Sequence, residues 1–160
     1  MDLFKYSEYQ NDIEKYLKQT ISKFDLKYNF EILKAKRSIP QISAFYENKY
    51  CRIELINNES FPYQDVAYHF YLLNSKGDEV EIQNNDLNKF LSINEDGFKK
   101  FCLNHYDNRL KNNLEFLNSE KGGYLYAMEG LNDLILKYYY PLLDGSKSYD
   151  DYINYLNKHK

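Results

Sequence analysis

Two cysteines, three histidines and several carboxylates are the residues of this chain whose types could support catalysis. Cys51 and Cys102 are the candidate nucleophiles. A histidine, His69 or His105, could then serve as the base, and a carboxylate such as Glu54 could orient it. No local signature surrounds either cysteine, and both stand at apolar positions, which is typical of inert buried thiols. The sequence therefore does not favour an enzyme.

Phosphate and metal sites lack their usual spacing as well. The six glycines are scattered, and Gly122-Gly123 lies between two predicted helices, where it indicates a break rather than a phosphate loop. A structural zinc site needs about four Cys or His ligands at short spacing, whereas His69, His105 and His159 are far apart. The sequence predicts no cofactor and no metal site.

Charge and hydropathy argue against two further classes of partner. The formal net charge is −3, from 24 acidic and 21 basic residues interspersed along the chain. A nucleic-acid-binding domain normally concentrates Lys and Arg on one face, so we expect no nucleic-acid partner. No apolar run approaches the roughly 18 residues of a transmembrane helix, and the first residues lack a signal-peptide layout. We expect a cytoplasmic protein with no membrane partner and two reduced cysteines.

Chain length and tyrosine content limit the possible number of domains and the composition of the core. A chain of 160 residues predicts a single domain over residues 1–160. Much of its apolar surface comes from 18 Tyr and 10 Phe. Because each buried phenolic hydroxyl needs a hydrogen-bond partner, we expect the tyrosines to lie at the margins of the core rather than at its centre. The abundance of Asn, Lys, Ile, Tyr and Phe suggests an AT-rich bacterial or phage genome.

The elements that must position any site follow from hydrophobic periodicity. Apolar residues at three- and four-residue spacing predict a helix over residues 3–24. Alternating segments then predict an antiparallel sheet of about four strands, beginning with a hairpin around the turn at 47–49. A loop is expected at 57–62 and a turn at 74–78. The expected strands are residues 39–46, 50–56, 66–73 and 79–83.

From Asp86 onward the period changes to about 3.6, which predicts three or more helices packed on one face of the sheet and an α+β class. Asp86 is the expected N-cap of a short helical turn, and Asn94 that of a long helix reaching about Leu117. The long helix carries two apolar stripes, so we expect it to be sandwiched between the sheet and another helix. These stripes are Phe98, Phe101, Cys102 and His105, and Leu103, Tyr106, Leu110, Leu114 and Leu117.

Two more helices complete the predicted layout. One begins near Tyr124 and is expected to end at Pro141, with Gly130 tolerated inside it if a neighbour approaches closely. The last opens at Ser148, where Asp151 three residues on suggests a capping box. Charged pairs one helical turn apart are typical of solvated helix surface rather than of acid–base couples. These pairs are His105 with Arg109 and Glu129 with Asp133.

Alternation on two neighbouring strands gives the most specific lead. If Phe70 and its apolar neighbours join the core, the opposite side of the sheet carries Arg52, Glu54, His69 and Tyr71. Tyr and Arg are enriched in interface hot spots, so these four residues are the candidate partner-binding site. The alternative is that they are ordinary outward residues in cross-strand pairs. A second docking place would be the run 138–140 beside Pro141.

Three features together carry a resemblance to a known group of proteins. These are an amphipathic first helix, the segment 39–42 (Ile-Pro-Gln-Ile) leading through 47–50 (Glu-Asn-Lys-Tyr) into Arg52-Ile53-Glu54, and a polar hairpin followed by 86–91 (Asp-Leu-Asn-Lys-Phe-Leu) and long helices. Over roughly residues 1–118 this layout resembles the small intracellular α+β immunity proteins of bacterial polymorphic and contact-dependent toxin systems. The resemblance implies a protein-binding module that neutralises a cognate toxin domain, and it transfers no functional residues.

Two other functions stay open on the sequence. One is a phage or host defence factor that acts by protein binding. The other is a small enzyme or ligand-binding protein with a cleft formed by Tyr, His69 and Glu54. In each case we expect a monomer or a weak homodimer.

Overall fold

The computed structural model of the chain describes residues 3–36, 39–58, 67–112 and 122–160. A five-stranded antiparallel sheet in the order β1-β2-β3-β4-β5 occupies the middle of the chain. Its strands are β1 (Lys27–Lys36), β2 (Ile39–Glu47), β3 (Cys51–Asn58), β4 (Ala67–Leu73) and β5 (Glu79–Glu81). The α+β class is confirmed, with five strands where about four were expected. Residues 59–66 lie outside the described residues. They include most of the predicted loop at 57–62 and Val66, the predicted start of the third strand.

Strand β1 is the element that the periodicity argument missed. It pairs antiparallel with β2, with Tyr28 opposite Tyr46 and Ile32 opposite Ile42. Tyr28, Phe30 and Ile32 alternate with polar residues, which is a two-residue period that could have identified the strand. The register shifts between Leu33 and Lys36, where the sequence turns to good helix formers. That change hides the alternation after only six residues.

Helices precede and follow the sheet along the chain. The predicted first helix is interrupted at Leu17, whose backbone (φ −105°, ψ 15°) leaves helical geometry. The predicted end of the long helix at Leu117 falls within residues 113–121, which lie outside the described residues. The helices are α1 (Leu3–Tyr16), α2 (Lys18–Lys23), α3 (Asn84–Phe90), α4 (Glu95–Asn112), α5 (Gly122–Leu134), a π-helix (Ile135–Tyr139), α6 (Tyr140–Leu143) and α7 (Tyr149–Lys158).

Two of the predicted helix caps are confirmed. The Asn94 side-chain oxygen accepts a hydrogen bond from the Gly97 N–H at 2.8 Å, as an N-cap residue does. Ser148 and Asp151 form the reciprocal capping box at the start of α7. The carboxylate of Asp151 accepts from the Ser148 N–H at 2.8 Å, and this bond holds the pKa of Asp151 below its usual value.

Two other predictions for the helical half are wrong. Helix α3 begins after Gln83 without a side-chain cap, and Asp86 instead accepts a hydrogen bond from the Tyr152 hydroxyl at 3.0 Å. The helix expected to end at Pro141 widens into the π-helix and continues as α6. Pro141 stands in the first turn of α6, a position at which the fixed φ of proline suits a helix.

The core lies between one face of the sheet and the helices. The buried sheet residues on this face are Ala44, Tyr46, Cys51, Ile53, Leu55, Phe70 and Leu72. The helical residues buried with them include Ile13, Leu17, Met128, Leu131, Ile135, Tyr139 and Tyr152. The Phe70 and Tyr139 rings meet edge to face with centroids 5.4 Å apart, so the π-helix packs directly on β4.

Among the described residues, seven partly buried tyrosines pack against the margin of the core, as expected, whereas four lie inside it. Each keeps its hydroxyl hydrogen-bonded, which removes most of the cost of burying it. The acceptors are the Leu55 carbonyl for Tyr9 at 2.9 Å, Glu14 for Tyr46 at 3.4 Å, Asn88 for Tyr139 at 3.4 Å and Asp86 for Tyr152 at 3.0 Å. Tertiary contacts supply these acceptors, so residue counts alone could not reveal them.

Of the two predicted stripes of helix α4, the structure describes the side chains of the first and, of the second, that of Leu103 alone. Its first stripe packs on the π-helix, where the Phe98 and Phe101 rings lie 5.4 and 5.5 Å from the Tyr138 ring. Its second stripe faces solvent at Leu103, which is 61% exposed. The side chains of Tyr106 and Leu110, and all of Leu114 and Leu117, lie outside the described part of the chain.

Candidate partner-binding face

The four predicted site residues lie together on the side of the sheet opposite the core. Strand pairing sets Arg52 opposite Tyr71 and Glu54 opposite His69. Their neighbours along each strand, such as Ile53 and Phe70, point into the core instead. We call this side the outer face. Its described residues include Lys27, Asn29, Ser43, Phe45, Glu47, Arg52, Glu54, Ile56, Ala67, His69, Tyr71, Leu73, Glu79 and Glu81.

Arg52 is held between two aromatic rings. Its guanidinium carbon lies 5.2 Å from the Phe45 ring centroid on β2 and 5.2 Å from the Tyr71 ring centroid on β4. The guanidinium also forms an ion pair with Glu79 on β5. Its side chain remains 22% exposed, so solvent reaches the arrangement. Cation–π contacts and an ion pair together restrict the rotamer of Arg52.

Glu54 is nearly buried although it lies on the outer face, with only 6% of the residue exposed. Two hydroxyl groups satisfy its carboxylate. Ser43 donates to Oε2 at 3.1 Å and Tyr71 donates to Oε1 at 2.8 Å. Burial, followed by the hydrogen bond and charge of Glu54, raises the pKa of Tyr71, so this phenol stays protonated and remains a donor.

His69 completes the row along β4. Its Nδ1 lies 3.0 Å from Oε1 of Glu81, with 26% of the histidine side chain and 39% of the glutamate side chain exposed. Glu79 and Glu81 therefore connect the short edge strand β5 to Arg52 and His69. Only the register of β4 with β5 shows which partners these two acids meet.

The candidate nucleophile Cys51 is not brought together with His69 and Glu54. Cys51 lies in the core face of the sheet with no exposure, whereas His69 and Glu54 lie on the outer face. Burial also raises the pKa of the Cys51 thiol, which disfavours the thiolate that a nucleophile needs. Cys102 is half-buried, and burial raises its pKa as well. Both thiols are free, as predicted.

His105 takes part in a tertiary contact rather than in a solvated pair. Its Nδ1 lies 3.1 Å from Oδ2 of Asp133, which joins α4 to α5. A Cβ at Gly130 would stand 3.4 Å from Nε2 of His105. The glycine therefore allows the close approach that its position in a helix suggested. The side chain of Arg109, which the sequence pairs with His105, lies outside the described residues.

Other site classes find no support in the described ranges. Within them, no three His, Cys, Asp or Glu side chains are grouped so that they could hold a metal ion. None of the described helices combines the length and apolar character needed to cross a membrane.

Comparison with known proteins gives no family. No protein-family model matches the chain, and no curated protein sequence or solved structure matches it either. The function must be inferred from the geometry of the chain itself.

Proposed function

We propose that the chain is a protein-binding module whose outer face occludes a partner protein. One observation supports this proposal above all. The Arg52 guanidinium lies between the Phe45 and Tyr71 rings, and its side chain is still accessible to solvent. Arg and aromatic side chains are enriched in the centres of protein interfaces. Because their rotamers are already restricted, less conformational entropy is lost on binding.

The partner that we propose is a toxin domain, which the chain would neutralise as an immunity protein does. Two considerations support this choice. The order of elements, with a helical start, an antiparallel sheet and following helices, is the layout on which the resemblance rests. Neutralisation by occlusion also needs only a rigid surface, and the polar groups of the outer face are engaged with one another rather than arranged around a reacting atom.

The test needs a change that blocks the face without disturbing its interior. Alanine at Tyr71 would remove a donor from buried Glu54, and alanine at Arg52 would leave Glu79 unpaired. Ala67 is exposed and points to the same side of β4 as His69 and Tyr71. A67R therefore adds bulk and charge to the face. The matched control is N104R, at an exposed position of α4.

The tagged wild-type chain is used to capture proteins from its own host, and the captured protein is identified by mass spectrometry. The affinity of that purified partner for each variant is then measured by calorimetry. We expect A67R to weaken binding by at least about 30-fold, roughly 2 kcal/mol, and N104R to change it less than threefold. Equal melting temperatures would show that both variants are folded.

A bacterial growth assay tests separately whether the partner is a toxin. Expression of the captured partner should arrest growth of a test bacterium, and co-expression of the wild-type chain, but not of A67R, should restore growth. A partner without toxicity would overturn the assignment while leaving the binding module intact. Full affinity of A67R for the partner would overturn the outer face as the site. The run 138–140 offers only Tyr140 as an alternative, because Tyr139 is buried in the core.

A further inference from the structure

A groove of about 640 Å³ lies among the helices, between the end of α3, the loop before α7 and one face of α7. This volume falls within the usual range for small-ligand sites. None of the residues that line the groove belongs to the outer face. Six of them carry the argument below, namely Lys89, Lys147, Asp151, Tyr155, Lys158 and His159.

The charged side chains of the groove are mostly cationic. Lys89, Lys147 and Lys158 line it, and Asp151 is the one carboxylate among the described residues that do so. Three ammonium groups against one carboxylate leave an excess of two positive charges. The chain as a whole has a formal net charge of −3, so the groove differs in sign from the rest of the molecule. A local positive charge of this kind favours an anionic ligand.

The one carboxylate is already engaged in a helix cap. Oδ2 of Asp151 accepts hydrogen bonds from the Ser148 N–H at 2.8 Å and from the Ser148 hydroxyl at 3.0 Å. Lys89, Lys147 and Lys158 make no ion pair with another described residue. Their ammonium groups therefore remain for a ligand.

Helix ends account for only part of this cluster of lysines. Cations are favoured at a helix C-terminus mainly by carbonyls that lack a partner. At the end of α3 the Ser92 N–H donates to the Lys89 carbonyl at 3.1 Å, and at the end of α7 Nδ1 of His159 lies 2.8 Å from the Tyr155 carbonyl. Lys147 stands just before α7, at the end of the helix where the macrodipole disfavours a cation.

A row of stacked rings on α7 leads into the groove. The Tyr152 and Tyr155 rings are inclined by 13° with centroids 6.0 Å apart, and the His159 ring stacks on Tyr155 at 4.3 Å and 27°. Tyr152 is buried at one end of the row, whereas His159 is exposed at the other end and lines the groove. The hydrogen bond of His159 to the Tyr155 carbonyl restricts its ring. The row thus ends in a surface on which a planar ring can stack.

A phosphate monoester matches the excess charge of the groove. It carries about 1.5 to 2 negative charges at pH 7, and lysine binds phosphate as a point charge. A single carboxylate would match only one of the two excess positive charges. Lys158 follows Tyr155 by three residues on the same face of α7, so an ammonium group lies close to the stacked rings.

We infer that the groove binds a nucleotide, with its phosphate among Lys89, Lys147 and Lys158 and its base stacked on the His159 ring. A nucleoside monophosphate combines a dianionic phosphate and a planar ring in one small molecule. The inference goes beyond the proposed protein-binding function and does not depend on it.

Three probes separate the contributions of the phosphate and the base. AMP, adenosine and ribose 5-phosphate are each titrated into the full chain by calorimetry, at pH 8 so that the phosphate is dianionic and in low salt so that its charge is little screened. We expect AMP to bind at least about tenfold more tightly than adenosine, which lacks the phosphate. We expect it to bind at least about fivefold more tightly than ribose 5-phosphate, which lacks the base.

Variants then place the ligand in the groove. K89Q/K158Q, at two exposed positions, should weaken AMP binding by at least about tenfold. The matched control K99Q/K100Q removes the same charge from exposed positions of α4 and should weaken it less than about twofold. H159A should weaken AMP by at least about fivefold and ribose 5-phosphate by less than about twofold. Equal melting temperatures would show that all three variants are folded.

Several outcomes would overturn the inference. Equal binding of AMP and adenosine, or equal losses in K89Q/K158Q and K99Q/K100Q, would exclude a phosphate site in the groove. Equal binding of AMP and ribose 5-phosphate would exclude a nucleotide as its ligand. Tighter binding of phenyl phosphate than of AMP would also exclude a nucleotide and indicate a phosphotyrosine side chain instead. A67R should bind AMP as the wild type does, because Ala67 lies on the outer face, so this inference and the proposed function can fail separately.

Discussion

The Tyr71 hydroxyl donates a hydrogen bond of 2.8 Å to the carboxylate of Glu54, across the outer face of the sheet. Glu54 is 6% exposed, so this bond and the one from Ser43 replace its hydration. The outer face therefore contributes to the stability of the fold as well as being a candidate interface. Variants that test binding must therefore be chosen so that they leave the carboxylate satisfied.

The Y71F variant should destabilise the chain by about 1 to 3 kcal/mol, because it leaves a buried carboxylate with one donor fewer. The free energy of unfolding is measured by urea denaturation at pH 7. The control is Y140F, since Tyr140 is exposed and should change stability by less than about 0.5 kcal/mol. Equal stability of the two variants would show that water replaces the Tyr71 hydroxyl.

Stability should fall in alkali. Burial raises the pKa of Tyr9, Tyr46 and Tyr139 in the folded state, whereas tyrosine in the unfolded chain titrates near pH 10. The unfolded state loses these protons first, so the stabilisation is fully present below about pH 10. It is lost as pH rises, by up to about 1.4 kcal/mol per pH unit for each tyrosine. Cys51 adds to this loss of stability from about pH 8.5, where the thiol of the unfolded chain begins to titrate, because burial raises its pKa in the folded state.

Urea midpoints between pH 8 and pH 11 measure this dependence, and tyrosinate absorbance at 295 nm is unobscured because the chain has no Trp. The Y46F variant should show a slope that is shallower by about one proton above pH 10. A rise in tyrosinate absorbance from all tyrosines before any loss of circular dichroism would contradict the prediction.

Two leucines on neighbouring helices should respond very differently to alanine. L131A should cost about 2 to 5 kcal/mol, because Leu131 is 3% exposed in the core. L103A should cost less than about 0.5 kcal/mol, because Leu103 is 61% exposed. Urea denaturation of both variants measures the difference. A large cost at Leu103 would mean that another surface covers it in solution.

Both cysteines should be reduced, and they should react at different rates. In the native chain, iodoacetamide should modify half-buried Cys102 at least tenfold faster than Cys51, which is fully buried. In denaturant without reductant, mass spectrometry should find two modified thiols. One modification or none under denaturing conditions would indicate a disulfide or another oxidised form.

Alternation along the strands was enough to place Arg52, Glu54, His69 and Tyr71 on one side of the sheet. Side chains alternate between the two faces of a strand whatever its neighbours are. Which face these four residues occupy therefore depended only on which face joined the core. Helix caps such as Asn94 and Ser148 were equally local, because the side chain meets a backbone N–H three residues away.

Contacts between distant segments decided the rest. The register of β4 with β5 brought Glu79 to Arg52, and the packing of α7 on α3 gave Asp86 to Tyr152 in place of a helix cap. The tyrosines of the core depended in the same way on acceptors far along the chain, such as the Leu55 carbonyl for Tyr9. A sequence states which side chains need partners, but which partner each one meets is fixed only when helices and strands pack, because hydrogen bonds and ion pairs form over about 3 Å in space and not along the chain.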